Sequence, residues 1–288
     1  MSLNKISYYY KLTKPGIVRG NSIAVIAGFL LASQGNISWD KLVFVLIGSA
    51  LIMSGGCVLN NFIDRDIDKK MTRTKKRALA SKAISPKIAL IYGGGLATLG
   101  FLCLYFFVNS LTTYVGMFGF VVYVYIYAYF KRRTEHGTLV GSISGAVPPL
   151  AGYVAVTDRI DIGAIVIFLI LAFWQLPHFY AITIFRAEEY AKAKLPVLSL
   201  TRGIGVTKRY VVTYIVLFIL ISLLPYRYGL VGRPYMIIMI FAGIYWLYVA
   251  VFNYKILNDI RWARKVFGTS LLVLMIFTVA IFLDTVVL

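Results

Sequence analysis

The sequence predicts an all-α polytopic membrane protein: a bundle of nine transmembrane helices with a cytoplasmic N-terminus and an exoplasmic C-terminus. Three observations predict it. Of the 288 residues 60% are hydrophobic and mean hydropathy is +0.80, a composition outside the range of ordinary soluble domains. Nine apolar stretches are long enough, or nearly so, to cross a hydrocarbon core about 30 Å thick. With nine spans, 25 of the 30 Lys and Arg residues fall on the side that carries the N-terminus. The other side holds only Lys41, Arg159, Arg227 and Arg233, and Arg19 lies inside the first span. This asymmetry is the positive-inside pattern. The net charge of +19 therefore follows from topology and contact with anionic lipid, and it calls for no nucleic-acid partner.

The spans fall near 16–34, 42–62, 88–108, 112–130, 138–156, 162–184, 210–226, 234–252 and 267–287. The first follows a polar and aromatic start, Met1 to Lys14, without a cleavable signal pattern, so the span itself is expected to serve as the insertion signal. The second runs directly into a charged segment. The third to sixth follow closely, parted by polar breaks such as Asn109-Ser110 and Lys131-Arg132-Arg133. The fifth carries Gly141, Ser142, Gly145 and Ala146, small residues that permit close helix approach, and a Pro148-Pro149 pair expected to break the helix and shape a cavity wall. Pro177 is expected to kink the sixth and free backbone groups, which a membrane tolerates where they line a cavity. Cys57 and Cys103 lie in spans at neither metal nor redox spacing and read as small buried hydrophobes.

No boundary divides the chain, so residues 1–288 read as a single integral-membrane domain. Exoplasmic connections are short. Two cytoplasmic connections, 64–87 and 185–209, are long and charged, and long connections are where function concentrates. They lie four helices apart, which hints at a duplicated four-helix unit, and both can face one cavity. The active-site segments are expected at 60–87 and 174–209.

The first segment reads Asn60-Asn61-Phe62-Ile63-Asp64-Arg65-Asp66-Ile67-Asp68, followed by a basic run to Arg77. Asn60, Asp64 and Asp68 are spaced i, i+4, i+8, which puts three oxygen ligands on one helix face. That set suits Mg²⁺, which is usually held by one or two carboxylates together with substrate phosphates. Arg73, Arg77 and Lys76 can take up the remaining phosphate charge. Asp66 and Lys69 fit a solvated helix end. Asn60 and Asp64 lie at or inside the membrane edge, where a polar group is costly unless it faces a cavity or partner.

The second segment, Trp174-Gln175-Leu176-Pro177-His178-Phe179-Tyr180, leads into Phe185-Arg186-Ala187-Glu188-Glu189-Tyr190. His178, one of two histidines, sits beside a helix break above an acidic pair; the other, His136, fits a solvated loop. Glu188 and Glu189 are candidates to complete a metal site facing Asp64 and Asp68. Twenty-one Tyr and 19 Phe exceed what interfacial belts require, and aromatic faces stabilise cationic intermediates.

The pattern Asn60-x-x-x-Asp64-x-x-Ile67-Asp68-x-x-Met71-x-Arg73-Thr74-x-x-Arg77 resembles the signature of UbiA-type intramembrane prenyltransferases. Within that superfamily the chain is similar to the heme-farnesylating branch, the heme O synthases. That likeness rests on Leu12 to Ile17 with Gly20-Asn21, Gly137 to Ser142, Trp174 to His178, and Arg261 to Lys265, and so covers nearly the whole chain. The resemblance implies nine helices around a central cavity open to the cytoplasmic side and laterally to lipid. It implies transfer of a farnesyl group from farnesyl diphosphate to a vinyl group of heme B with addition of water, giving heme O and diphosphate. Mg²⁺ is the implied cofactor, held by Asn60, Asp64 and Asp68 with Glu189 as a further ligand, and Arg73, Arg77 and Lys76 are the implied diphosphate ligands. His178 and Trp174 are the implied heme contacts, with Lys131, Arg132 or Arg264 toward the propionates. The implied location is the bacterial cytoplasmic (inner) membrane, with heme A synthase or terminal oxidase assembly as product-receiving partners. One departure stands out: many superfamily members carry a second Asp-x-x-x-Asp after the sixth helix, where this chain has Glu188, Glu189, Tyr190 and Lys194. An aromatic acceptor such as 4-hydroxybenzoate fits the metal motif equally well. A transporter fits poorly, because its carboxylates belong near the bilayer midplane.

Overall fold

The computed structural model describes residues 3–256 and 258–287, and among these there is helix and turn but no strand. Among the described residues nine helices are long and apolar enough to cross a membrane: Pro15–Ser33, Trp39–Asp68, Pro86–Phe107, Ser110–Arg133, Gly137–Thr157, Ile162–Phe185, Ile204–Arg227, Arg233–Phe252 and Asp259–Thr285. A short helix, Leu3–Leu12, precedes them. Each span is laid against the next in the chain; in addition the first packs on the fifth and ninth, the second on the fourth and fifth, and the sixth on the ninth.

The first and fifth spans meet at backbone distance. A Cβ on Gly28 would collide with the Pro149 carbonyl, and one on Gly152 with the Val25 carbonyl, so only glycine permits this crossing. The eighth and ninth spans are pinned by two buried indoles: Trp246 donates to the Val266 carbonyl at 3.1 Å and Trp262 to Ala250 at 2.8 Å. Between hydrocarbon-clad helices such bonds and close packing supply the association that apolar surface alone does not.

Several elements depart from the sequence expectation. The second span continues to Asp68, 30 residues or about 45 Å at the usual rise, so its last turns outrun a core of about 30 Å. The seventh starts at Ile204 and the ninth at Asp259, each carrying basic residues within its first turns. Pro148 and Pro149 lie inside one continuous fifth helix, and Pro177 inside a continuous sixth. All three prolines are buried, and no break forms at them; the carbonyls that Pro148 and Pro149 leave unbonded, on Ser144 and Gly145, belong to residues that line the cavity. The fourth span holds a feature not anticipated, a π-helical turn over Val122–Tyr127.

Candidate active site

The second span ends on two kinds of face. Phe62 and Arg65 turn outward, with the Arg65 guanidinium donating to the Phe62 carbonyl and lying over its ring. Asn60, Asp64 and Asp68 turn inward and are each only 2% exposed. They border a cavity of about 510 Å³, within the usual range for ligand sites. Its walls come from the first, second, fourth, fifth and sixth spans and the connection after the sixth. From this polar end it descends past Cys57, Met53, Phe120 and Val147 to Ser49 and Ala151.

The connection after the second span is tied back onto that face. Thr74 donates to the Asp68 carbonyl at 2.9 Å, closing the helix end, and the Arg77 guanidinium grips the Asp68 carboxylate at 3.0 and 2.9 Å. Arg77 also donates to Asn61, whose amide donates to the Leu12 carbonyl. Leu12, Val58, Ala78, Leu79, Ile84 and Ala89 form the apolar seat of this loop. Met71 and Ile67 pack with Ala193 and Leu195, and Glu189 accepts from the Arg73 backbone N–H at 3.3 Å, so the two long connections meet over one cavity.

The structure thus brings together Asn60, Asp64, Asp68, Arg73 and Arg77, with Lys131 and Arg132 on Asp64, and it does not bring Lys76, Glu189, His178, Trp174 or Arg264 into the cavity with them. Lys76 is exposed and does not border the cavity. Glu189 is held by Arg73 and by Lys192 at 3.7 Å, outside the cavity lining; against the desolvation that raises it, these groups keep its carboxyl below the usual range. Its place is that of a strut between the two connections. Among the described residues no three carboxylate, thiol or imidazole groups converge as a metal site.

His178 and Trp174 also depart from expectation. They lie four residues apart on the face of the sixth span turned to the ninth, not on the cavity face. The His178 ring stacks on Trp174 at 4.9 Å and lies 4.6 Å from Phe267. Its Nδ1 is 2.7 Å from the Ser270 hydroxyl, which itself donates to the Phe267 carbonyl, so Nδ1 is the donor. Trp174 donates to the Ser270 carbonyl. The cavity face of the same helix carries Gln175, Phe179, Ile182 and Thr183 instead. Arg264 is exposed on the ninth span, away from the cavity.

Sequence reasoning missed two groups, Lys14 and the Tyr123–Tyr127 pair, and gave a third, Lys131 with Arg132, to the propionates where the structure sets it on Asp64. Lys14 sits in the left-handed region (φ 51°, ψ 61°) between the N-terminal helix and Pro15, and donates to Asn60 Oδ1 at 2.9 Å. Burial, with the neighbouring charges of Arg77 and Lys131, pushes its ammonium down to about 8. Lys131 pairs with Asp64 at 2.6 Å, and Arg132 reaches both Asp64, at 3.3 Å, and the Ile63 carbonyl. Tyr123 and Tyr127, stacked at 5.8 Å, line the cavity beneath Lys131 on the π-helical turn. The Tyr123, Tyr127, Lys131 spacing of i, i+4, i+8 was the signal available, and π turns occur often at functional sites. Burial lowers Arg73, and the nearby Arg77 and Arg186 lower it further, which marks this rim as strongly positive.

The arrangement can take a dianionic head on its basic rim, a hard cation on its oxygen face, and an apolar tail below. Buried Asn60 Nδ2 lacks a partner among the described residues, a donor left for an incoming oxygen. The donor set of one amide and two carboxylate oxygens fits Mg²⁺.

Fold and site define a polytopic helical membrane protein built to handle an anionic amphiphile at one end of its bundle. The chain belongs to the UbiA prenyltransferase family, whose model matches residues 21–281. It is similar to proteins named protoheme IX farnesyltransferase: one from Citrobacter koseri is 45% identical over 277 residues, 96% of this chain and 94% of that protein, and one from Escherichia coli K12 is 44% identical over the same shares. Among solved structures, a digeranylgeranylglyceryl phosphate synthase superposes with a TM-score of 0.81 at 21% identity, covering 99% of this chain and all of that one. A UbiA homolog from Archaeoglobus fulgidus bound to GPP and Mg²⁺ superposes with a TM-score of 0.71 at 14% identity, covering 95% and 99%. These two share the fold.

Proposed function

We propose that this protein transfers a farnesyl group from farnesyl diphosphate to a vinyl group of heme B, with addition of water, giving heme O and diphosphate. The observation that carries the reading is a face of Asn60, Asp64 and Asp68, ringed by Lys14, Arg73, Arg77 and Lys131, at the mouth of an apolar cavity lined by Tyr123, Tyr127 and Phe120. The relatives named protoheme IX farnesyltransferase, matched over nearly the full length, support heme as the acceptor.

Asn60, Asp64 and Asp68 would hold Mg²⁺, which supplies Lewis-acid neutralisation of the departing diphosphate. Arg73 and Arg77 bind phosphate oxygens by charge-assisted hydrogen bonds, and Lys131 and Lys14 exchange their present partners for the same oxygens. Asn60 Nδ2 donates to one of them. As the allylic C–O bond breaks, the faces of Tyr123 and Tyr127 stabilise the cation from below. The apolar wall keeps bulk water from quenching it before the vinyl group attacks. Glu189 keeps the two connections closed over the head group.

The protein is one membrane domain, residues 1–288, in a bacterial cytoplasmic membrane, with the basic face and cavity mouth toward the cytoplasm. Its product goes to heme A synthase or to terminal oxidase assembly. The test is incubation of membranes containing the protein with heme B, farnesyl diphosphate and Mg²⁺, followed by separation of extracted hemes. A heme O peak that vanishes on chelation is expected; no such peak, with prenylated 4-hydroxybenzoate in a parallel assay, overturns the reading.

A further inference from the structure

We propose that Gln175 positions the water that completes the reaction, and that Gly145 is glycine because a side chain there would displace the Gln175 amide oxygen. The proposal rests on heme farnesylation with hydration as read above. Gln175 lies on the cavity face of the sixth span and is 4% exposed. Its amide NH₂ is committed to the Leu171 carbonyl at 3.0 Å, which fixes the oxygen as the end turned away from its own helix. No hydrogen bond from the described residues reaches that oxygen. It lies in a notch on the fifth span, where a Cβ added to Gly145 would overlap it. The notch is therefore shaped around that amide oxygen. The adjacent Ser144 hydroxyl is already spent on the Gly141 carbonyl, at 2.9 Å.

Position supports the assignment. Gln175, from the sixth span, lines the same cavity as Asn60, from the second, so the amide oxygen faces the space that the tail of a bound diphosphate would enter.

The chemistry needs such a group. The C1–O bond of farnesyl diphosphate breaks with its electron pair going to diphosphate, and the terminal vinyl carbon forms a new C–C bond to C1. The positive charge then rests on the vinyl carbon joined to the porphyrin. That cation either takes up water, forming a C–O bond and releasing one proton, or loses a proton from the neighbouring CH₂ to give an alkene. A cavity that excludes bulk water favours the alkene unless one water is held in place. An amide oxygen accepts one O–H bond from that water and leaves its lone pair turned to the cation. The amide is too weakly basic to keep the released proton, which passes to an oxygen of the diphosphate. Gln175 is thus a positioning residue, acting through water.

The test reads the product rather than the rate. Membranes carrying wild type, Gln175→Leu, Gln175→Glu and Gly145→Ala are incubated with heme B, farnesyl diphosphate and Mg²⁺, and extracted hemes are resolved by mass. Wild type is expected to give the hydrated product. Gln175→Leu is expected to lower the ratio of hydrated heme to the alkene, lighter by one water, about tenfold, with diphosphate release little changed. Gln175→Glu, which keeps an oxygen in the notch, is expected to restore hydration. Gly145→Ala is expected to move the ratio the same way with Gln175 intact, and decides the matter should Gln175→Leu not fold. An unchanged ratio in the folded variants, whatever their rate, overturns the proposal. Absence of any farnesylated heme from wild type overturns the heme reading itself, which keeps the two failures distinct.

Discussion

The inner face at the end of the second span and the Trp174–His178 face of the sixth look alike in sequence: both place polar groups in apolar helices beside a long basic connection. In the fold they do opposite things. Asn60, Asp64 and Asp68 turn into the cavity and are met by cations from other elements. His178 and Trp174 turn into the seam with the ninth span and are satisfied by Ser270. The difference is helical register: one residue along the sixth helix, about 100° of rotation, separates Trp174 in the seam from Gln175 in the cavity. Polarity inside a membrane marks a residue that needs a partner, and the partners are cations around a cavity in one region and a neighbouring helix in the other.

Substitutions on the two faces should therefore separate cleanly. Asp64→Asn, isosteric but uncharged, is expected to cost several kcal/mol in the transition state, a loss of about 10³-fold in turnover, while the protein still inserts and folds. Lys131→Met should cost about 10²-fold, as removal of one charged donor at a developing oxyanion does, with farnesyl diphosphate affinity reduced in parallel binding assays. Arg77→Lys keeps the charge but shortens the reach of the one nitrogen that joins Asp68 to Asn61 and removes the planar guanidinium, and about tenfold lower turnover is expected. His178→Phe keeps the stacking on Trp174 and Phe267 and loses one hydrogen bond, so turnover should stay within about threefold while stability in detergent falls by about 1 kcal/mol.

The smallest effect concerns the mouth of the cavity. The Arg202 hydrogen bond, with that of Thr201, holds the Glu135 carboxyl below the usual carboxylate range and ties the connection after the fourth span to the one after the sixth. A carboxyl lowered in the folded state stabilises it above the ordinary carboxylate pKa, and that contribution is lost as pH falls through the lowered value. Thermal scans from neutral to acidic pH should show a slight loss in that window which Glu135→Gln removes, its small size reflecting the exposure of the Arg202 partner.

Much of this was legible in the sequence. Spans longer than a bilayer core, the Lys and Arg asymmetry, and the i, i+4, i+8 oxygen ladder are local patterns that hydropathy and helical periodicity expose. The rest depends on partners distant in the chain. Lys14 meets Asn60 from 46 residues away and Lys131 meets Asp64 from 67, and no spacing rule links them. Pro177 pointed to a break, but it is buried among neighbouring helices and the helix runs through. The cavity side of the sixth span could not be read because that helix is apolar nearly all round, with 16 of its 24 residues buried, so its periodicity names no single face.

The most direct measurement is heme O formation by Asp64→Asn and His178→Phe side by side, in membranes where both variants are present and folded. With heme B, farnesyl diphosphate and Mg²⁺, His178→Phe should yield heme O near the wild-type rate and Asp64→Asn essentially none. Activity in Asp64→Asn with silence in His178→Phe would contradict the account, moving the chemistry from the second-span face to the sixth-span seam.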